Sequence, residues 1–194
     1  MTIRRWRLRS GKAVFSSSWL TVEQREYELA SGSIVSDYFV VKRAPFVIVI
    51  ASKDGQLVMV DQYRAATNAI YRSFPAGYIG ENETPLLAAE RELLEETGFE
   101  AINPVVLGVL DPLPGYIESR CHIIACTVGR QARAIGSDEF EELRITLLRP
   151  AQIEQAIAAN DIQEMQAVAA FALYCATASR EVGGPTRACG REHG

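Results

Sequence analysis

Two stretches of the chain alternate apolar and polar positions on either side of a turn. In "YELASGSIVSDYFVVKRA" a Ser-Gly-Ser turn divides two alternating runs, and in "FVIVIASKDGQLVMVDQYR" Asp54-Gly55 does the same. Period-two alternation is the mark of a half-buried strand, and Asp-Gly between apolar runs is a strong hairpin signal. Phe46–Ile50 is apolar at every position, which predicts a central strand buried on both faces.

Beyond Pro75-Ala76-Gly77, which reads as a loop, the period changes. Thr84 suits an N-cap, Pro85 the first helical position, and Gly98 the residue that ends a helix. Between them "LLAAERELLEET" is helical in propensity, with Leu86, Ala89, Leu93 and Leu94 available to a core. Strands are expected at Val105–Leu110 and Cys121–Val128, separated by the loop "DPLPGYIESR". "ARAIGSDEFEELRITLL" reads as an acidic loop entering a strand, and Pro150–Ala159 as a short helix. Asp161 is expected to cap a last helix. Glu164 stands at its capping-box position, and Met165, Val168, Ala169, Ala172 and Leu173 follow at helical spacing. No repeat is present. The order of elements predicts an α+β fold, a mixed sheet held between helices.

Composition narrows the picture without changing it. A chain of 194 residues, 48% hydrophobic and 23% charged, fits one globular domain with an accessory segment. A formal net charge of -4 gives no reason to expect a nucleic-acid partner. The basic start "MTIRRWRLRSGK" has no apolar stretch behind it, and the run Ala167–Ala178 is too short to span a bilayer. The expected location is cytoplasmic. Cys121, Cys126, Cys175 and Cys189 form no CxxC pair, and of two histidines His122 sits in a strand-like run. Nucleophilic chemistry of the Ser-His or Cys-His type has almost no material here.

What remains is carboxylate. On the helix Pro85–Thr97, Glu92 and Glu96 are four apart and Glu95 is three from Glu92, so the three crowd one side. Most acidic helix faces are simply solvated. Three converging carboxylates that repel one another are, alternatively, the donor set that Mg²⁺ or Mn²⁺ prefers. Such an ion attracts phosphate oxygens and polarises a phosphoanhydride.

The spacing decides between the two. Gly77, five residues, Glu83, seven residues, then Arg91-Glu92-Leu93-Leu94-Glu95-Glu96-Thr97-Gly98-Phe99 matches without a departure the box of the Nudix hydrolases. The chain is thereby identified as a member of that family, and the resemblance implies an α/β/α sandwich. It implies that Glu92 and Glu96 ligate Mg²⁺, that Glu95 is a further ligand with a catalytic part, and that the carbonyl of Ala76 is a ligand too. It also implies a structural salt bridge between Glu83 and Arg91.

Neighbouring residues resemble one subgroup, the ADP-ribose and nucleoside-diphosphate-sugar pyrophosphatases. "DQYR" precedes the box, Pro114 lies sixteen residues past Gly98, and Glu118 follows in "LPGYIES". This implies hydrolysis of ADP-ribose to AMP and ribose 5-phosphate, with Arg64, Glu118 and Trp19 as substrate-binding candidates. The acidic segment resembles the loop that delivers a catalytic Glu. It offers Glu139, Glu141 and Glu142, of which Glu141 is favoured narrowly and Glu139 comes next. GDP-mannose, dinucleoside polyphosphates and a noncatalytic ADP-ribose sensor are the competing readings. The resemblance divides the chain into an N-terminal strand segment, 1–42, exchanged across a homodimer, a Nudix hydrolase domain, 43–178, and a flexible tail, 179–194. An aromatic residue from the first segment would stack on the base, with Trp19, Tyr27, Tyr38 and Phe39 as candidates.

Overall fold

The computed structural model describes residues 2–131 and 143–182. The chain runs β1 (Arg7–Ser16), β2 (Thr21–Glu28), β3 (Ile34–Lys42), β4 (Phe46–Lys53), β5 (Gln56–Arg64), β6 (Ala69–Ser73), β7 (Ala76–Tyr78), α1 (Pro85–Thr97), β8 (Phe99–Leu110), β9 (Ile117–Glu118), β10 (Cys121–Gln131), β11 (Leu143–Leu148), α2 (Pro150–Ala158) and α3 (Met165–Val182). Two sheets result. The first has the order β1-β2-β3-β9. The second has the order β11-β5-β4-β10-β8, with β6 on β5 and β7 on β4.

The second sheet holds the core. Period-two alternation on β4 sends Val47, Val49 and Ala51 to one face and Ile48 and Ile50 to the other, all essentially sealed from solvent. The first face packs on Ala88, Ala89 and Leu93 of α1. The second packs on Ile153 of α2 and Ala167, Ala170 and Phe171 of α3. Strand β10 runs parallel to β4 and antiparallel to β8. The fold is therefore α+β, a mixed sheet between helices. Among the described residues no helix is long and apolar enough to cross a membrane.

Both expected hairpins form. Asp54 and Gly55 adopt φ of 49° and 78°, the left-handed pair that a two-residue turn between twisted strands requires. Helix α1 also starts and stops where its capping residues stand. The Leu87 amide donates to Thr84 Oγ1 at 3.3 Å, and Gly98, at φ 72°, donates its amide to Leu94 O.

The basic stretch Arg7–Ser16 is an N-terminal antiparallel strand, as expected of the first segment, exposed along its whole length, and its charges pair across to β2 through Arg7–Glu28 and Arg9–Glu26. Several elements differ from expectation. Ala76–Tyr78 is not a loop but a short strand on β4. Strand β8 begins at Phe99 rather than Val105. It tolerates Pro104 because it lies at the sheet edge, where a missing amide breaks no ladder bond. Helix α3 begins at Met165, one turn later than a cap at Asp161 would place it, with Glu164 O accepting from the Val168 amide.

Candidate active site

The site is built where β7 meets α1. Pairing with β4 fixes the β7 backbone, with Ala76 opposite Ile48 and Gly77 opposite Val47. Burial of Leu93, Ala88 and Ala89 fixes the roll of α1, and that roll turns its glutamates toward β7. Glu92 comes so close that a Cβ on Gly77 would stand 1.9 Å from Glu92 Oε1 and 2.0 Å from its Cδ. Glycine is needed here for close approach, not for its backbone freedom. One turn on, Glu96 is 8% exposed and Oε2 accepts from the Ala76 amide at 3.2 Å. Glu95 is half exposed at the rim.

Arg91 ties this constellation together. Its Nε and Nη2 donate to Glu83 in a two-pronged pair, both at 2.9 Å, and Nη2 also reaches Tyr78 O at 2.8 Å. Its Nη1 reaches Glu92 Oε1 at 2.7 Å and Glu95 Oε2 at 3.1 Å. Glu83 in turn accepts from the Gly80 amide at 2.8 Å. The Arg91 guanidinium, helped by that amide, holds the Glu83 carboxyl down at about 2. One guanidinium thus locks the loop 79–84 to the helix and neutralises acid that would otherwise repel itself.

Among the described residues no three His, Cys, Asp or Glu side chains stand as a ready metal-ligand set. Arg91 supplies the counter-charge to Glu92 and Glu95. The donor chemistry fits a hard divalent cation all the same. Glu92, Glu95 and Glu96 are oxygen donors on one side of a rigid helix, and the β7 backbone lies against them.

A cleft of about 260 Å³ opens beside Ala76 and Gly77. Two cations line it, Arg64 at the end of β5 and Arg43 between β3 and β4. Arg43 lies over the Tyr78 ring at 5.2 Å. Arg64 Nη2 faces Glu164 Oε1 at 3.4 Å. Nothing in the sequence pattern marks Arg43, and the pattern marks Glu164 only as a capping residue.

A second cleft, about 640 Å³, shares Ile117 and Ser119 with the first. Tyr27 and Tyr38 line it together with Trp6, and the three rings meet edge to face at 5.4–6.0 Å. Trp6 was missed because it precedes any recognisable strand pattern. Glu118 and Pro114 also border this cleft rather than the first, and Glu118 Oε2 accepts from Arg25 Nη2 at 2.6 Å. Trp19 lies in the exposed turn between β1 and β2, and neither cleft includes it. Phe39 is half exposed and borders neither. Glu139, Glu141 and Glu142 lie outside the described residues.

Asp61 of "DQYR" does not face the cleft. It is 6% exposed and accepts from Arg72 Nε and Nη2 at 2.6 and 3.0 Å and from Arg144 Nε and Nη2 at 2.9 and 2.5 Å, clamping β6 and β11 to β5. The thiols of Cys121 and Cys126 are pushed up to about 12 by burial, so neither is a nucleophile at neutral pH.

Comparison with known proteins places the chain. The NUDIX domain matches residues 41–168. A CMP-5'-(N-acetyl-N-hydroxy-3-aminopropyl)phosphonate hydrolase of Streptomyces rubellomurinus is 28% identical over 72% of this chain and 73% of that protein. An ADP-ribose pyrophosphatase of Bacillus subtilis is 30% identical over 69% of this chain and 75% of that one. A crystal structure of an ADP compounds hydrolase superposes with a TM-score of 0.79, covering 93% of this chain and 98% of that one at 23% identity, a likeness of fold.

Proposed function

The chain belongs to the NUDIX domain family and is a hydrolase of pyrophosphate bonds, and on that premise we propose that it is an ADP-ribose or nucleoside-diphosphate-sugar pyrophosphatase dependent on Mg²⁺, with Mn²⁺ as an alternative ion. The products are a nucleoside monophosphate and a sugar phosphate. The observation that carries the reading is the Glu92 carboxylate seated against Gly77, beside a cleft furnished with two arginines.

Glu92, Glu96, Glu95 and the Ala76 carbonyl would hold the ion. Once bound, the ion neutralises the diphosphate and polarises the bridging anhydride. The protein's own contribution is placement. Burial of Leu93 and the Arg91–Glu83 bridge set the carboxylates against β7. Arg64 and Arg43, which line the same cleft, bring positive charge to the diphosphate. With the box glutamates committed, the base that takes the proton of the attacking water is assigned to Glu141, with Glu139 as the alternative. In the separate variants Glu141→Gln and Glu139→Gln, the base mutant loses kcat by roughly 10²–10⁴-fold and keeps substrate affinity. If neither loses tenfold, the base is elsewhere.

The Tyr27, Tyr38 and Trp6 cluster, rather than Trp19, is the proposed platform for the base. A homodimer is also proposed, supported by the apolar surface that β1 and its flank leave exposed at Trp6, Leu8, Val14 and Phe15. The test of the whole reading is a substrate panel with Mg²⁺: ADP-ribose, ADP-glucose, GDP-mannose, diadenosine polyphosphates and nucleoside triphosphates, with products identified. Rapid triphosphate cleavage with no nucleotide-sugar cleavage refutes it.

A further inference from the structure

One cation of the first cleft is held by a ring rather than by a carboxylate. Arg43 and Tyr78 both line that cleft, alongside Ala76 and Gly77. The exposed Arg43 guanidinium lies over the Tyr78 ring, 5.2 Å from its centroid. Among the described residues Arg43 forms no ion pair, whereas Arg64 faces Glu164 Oε1 at 3.4 Å. The two cations therefore differ in what they can offer. A carboxylate that attracts a guanidinium also takes up its N–H donors. A ring face attracts the charge through its quadrupole and supplies no oxygen acceptor. Arg43 is thus held in place with its donors still available to an anion entering the cleft.

Tyr78 stands where it can set that place. It pairs with Phe46 in the ladder of β7 with β4, and its carbonyl accepts from Arg91 Nη2 at 2.8 Å. Arg91 is also the guanidinium that pairs with Glu83 and Glu92. The backbone of Tyr78 is therefore tied to the carboxylate side of the site and its ring to the cation side. Arg43 is anchored at its own backbone, where its amide donates to Glu118 O at 3.1 Å, and its long side chain has the ring to rest on. A guanidinium kept in one arrangement loses less freedom when an anion binds, and its planar fork matches two phosphate oxygens. Resting on the pyrophosphatase reading above, we propose that Tyr78 is a positioning residue, whose ring presets Arg43 as the phosphate-binding fork of the first cleft, opposite the carboxylates that α1 carries.

The experiment measures the Kd of inorganic pyrophosphate with Mg²⁺ by calorimetry and, separately, kcat and KM for ADP-ribose. Arg43→Ala is expected to weaken pyrophosphate binding by about tenfold or more, the scale of a charge-assisted hydrogen bond. Tyr78→Leu removes the ring and weakens binding by about three- to fivefold, the scale of an exposed cation–π contact. It acts through KM rather than kcat, because the backbone carbonyl that Arg91 uses is still there. Tyr78→Phe keeps the ring and restores binding. With Arg43→Ala already in place, Tyr78→Leu causes no further loss. Tyr78→Met is measured as a second variant without a ring, so poor folding of Tyr78→Leu does not leave the matter open. Three results overturn the inference: pyrophosphate binding by Arg43→Ala as tight as wild type, equal loss in Tyr78→Phe and Tyr78→Leu, or losses at Arg43 and Tyr78 that multiply. A wild type that binds pyrophosphate with this pattern of variants yet leaves ADP-ribose intact refutes the pyrophosphatase reading and leaves the fork standing.

Discussion

Gly77→Ala isolates the geometry on which the site depends. The substitution adds one methyl group, and Gly77 is a strand residue outside the left-handed region, so alanine suits its backbone. The cost falls on one neighbour. The new Cβ would lie 1.9 Å from Glu92 Oε1, 2.0 Å from Cδ and 2.3 Å from Oε2, whereas ordinary contact begins near 3.4 Å, so the carboxylate retreats by about 1.5 Å. It is the far end of a flexible side chain, and Arg91 keeps its two-pronged pair with Glu83. The fold should therefore lose no more than about 1 kcal/mol. Catalysis should lose far more, because a displacement of about 1 Å in a positioning group costs on the order of a hundredfold. The assays are kcat/KM on ADP-ribose with Mg²⁺ and denaturant unfolding without it. Activity within fivefold of wild type would show that the Glu92 position does not matter. A collapse of stability would show that Gly77 is held for packing and not for the site.

Glu96→Gln should keep its acceptor for the Ala76 amide and fold normally, yet lose at least about a hundredfold in Mg²⁺-dependent activity, checked by steady-state rates at saturating Mg²⁺. Asp61→Asn should destabilise by about 2–3 kcal/mol, read from the urea midpoint, because it strands two guanidiniums of which Arg144 is already well exposed. Glu83 predicts an acid limb. Its carboxyl sits at about 2 in the fold against 4.5 unfolded, so the stabilisation is complete above about 4.5 and drains away as pH falls toward 2. Arg91 is about one-third exposed, so solvent screening reduces the gain to about 1–2 kcal/mol. Unfolding free energies at pH 7, 5, 4 and 3 should fall along that limb in wild type and much less in Glu83→Gln.

The parts of this molecule that could be read from sequence are those whose cause is local. Thr84, Pro85 and Gly98 bracket α1 because capping and the αL stop act over a single turn. Asp54-Gly55 closes its hairpin for the same kind of reason. Pairing partners far away in sequence leave no such mark. Strand β1 carries three basic residues, Arg7, Arg9 and Lys12, and no apolar alternation, and it is a strand through its ladder with β2, which sets Arg7 and Arg9 against Glu28 and Glu26. Strands β7 and β9, three and two residues long, are too short for any period to register. The site divides the same way. The spacing of Glu83, Arg91, Glu92 and Glu96 was legible because one helix holds most of it. Arg43, Glu164 and Trp6 enter from three other segments, and only the folded chain brings them to the clefts.

The parallel pairing of β4 with β10 has a consequence for the chain as it is made. Register puts Phe46 beside Cys121 and Ser52 beside Thr127, so the partner of the central strand is about seventy-five residues away. On a ribosome adding about 5–20 residues per second, the β4–β5 hairpin emerges several seconds before β10 does. Through that interval the edge of β4 that β10 will cover carries Val47, Ile48, Val49 and Ile50 with their backbone groups unpaired. An apolar, β-branched edge of this kind is a template for another nascent chain. The same strand that positions Gly77 is thus the segment most in need of shielding during synthesis. Chains stopped before Cys121 should aggregate, while those carried through β10, α2 and α3 should not.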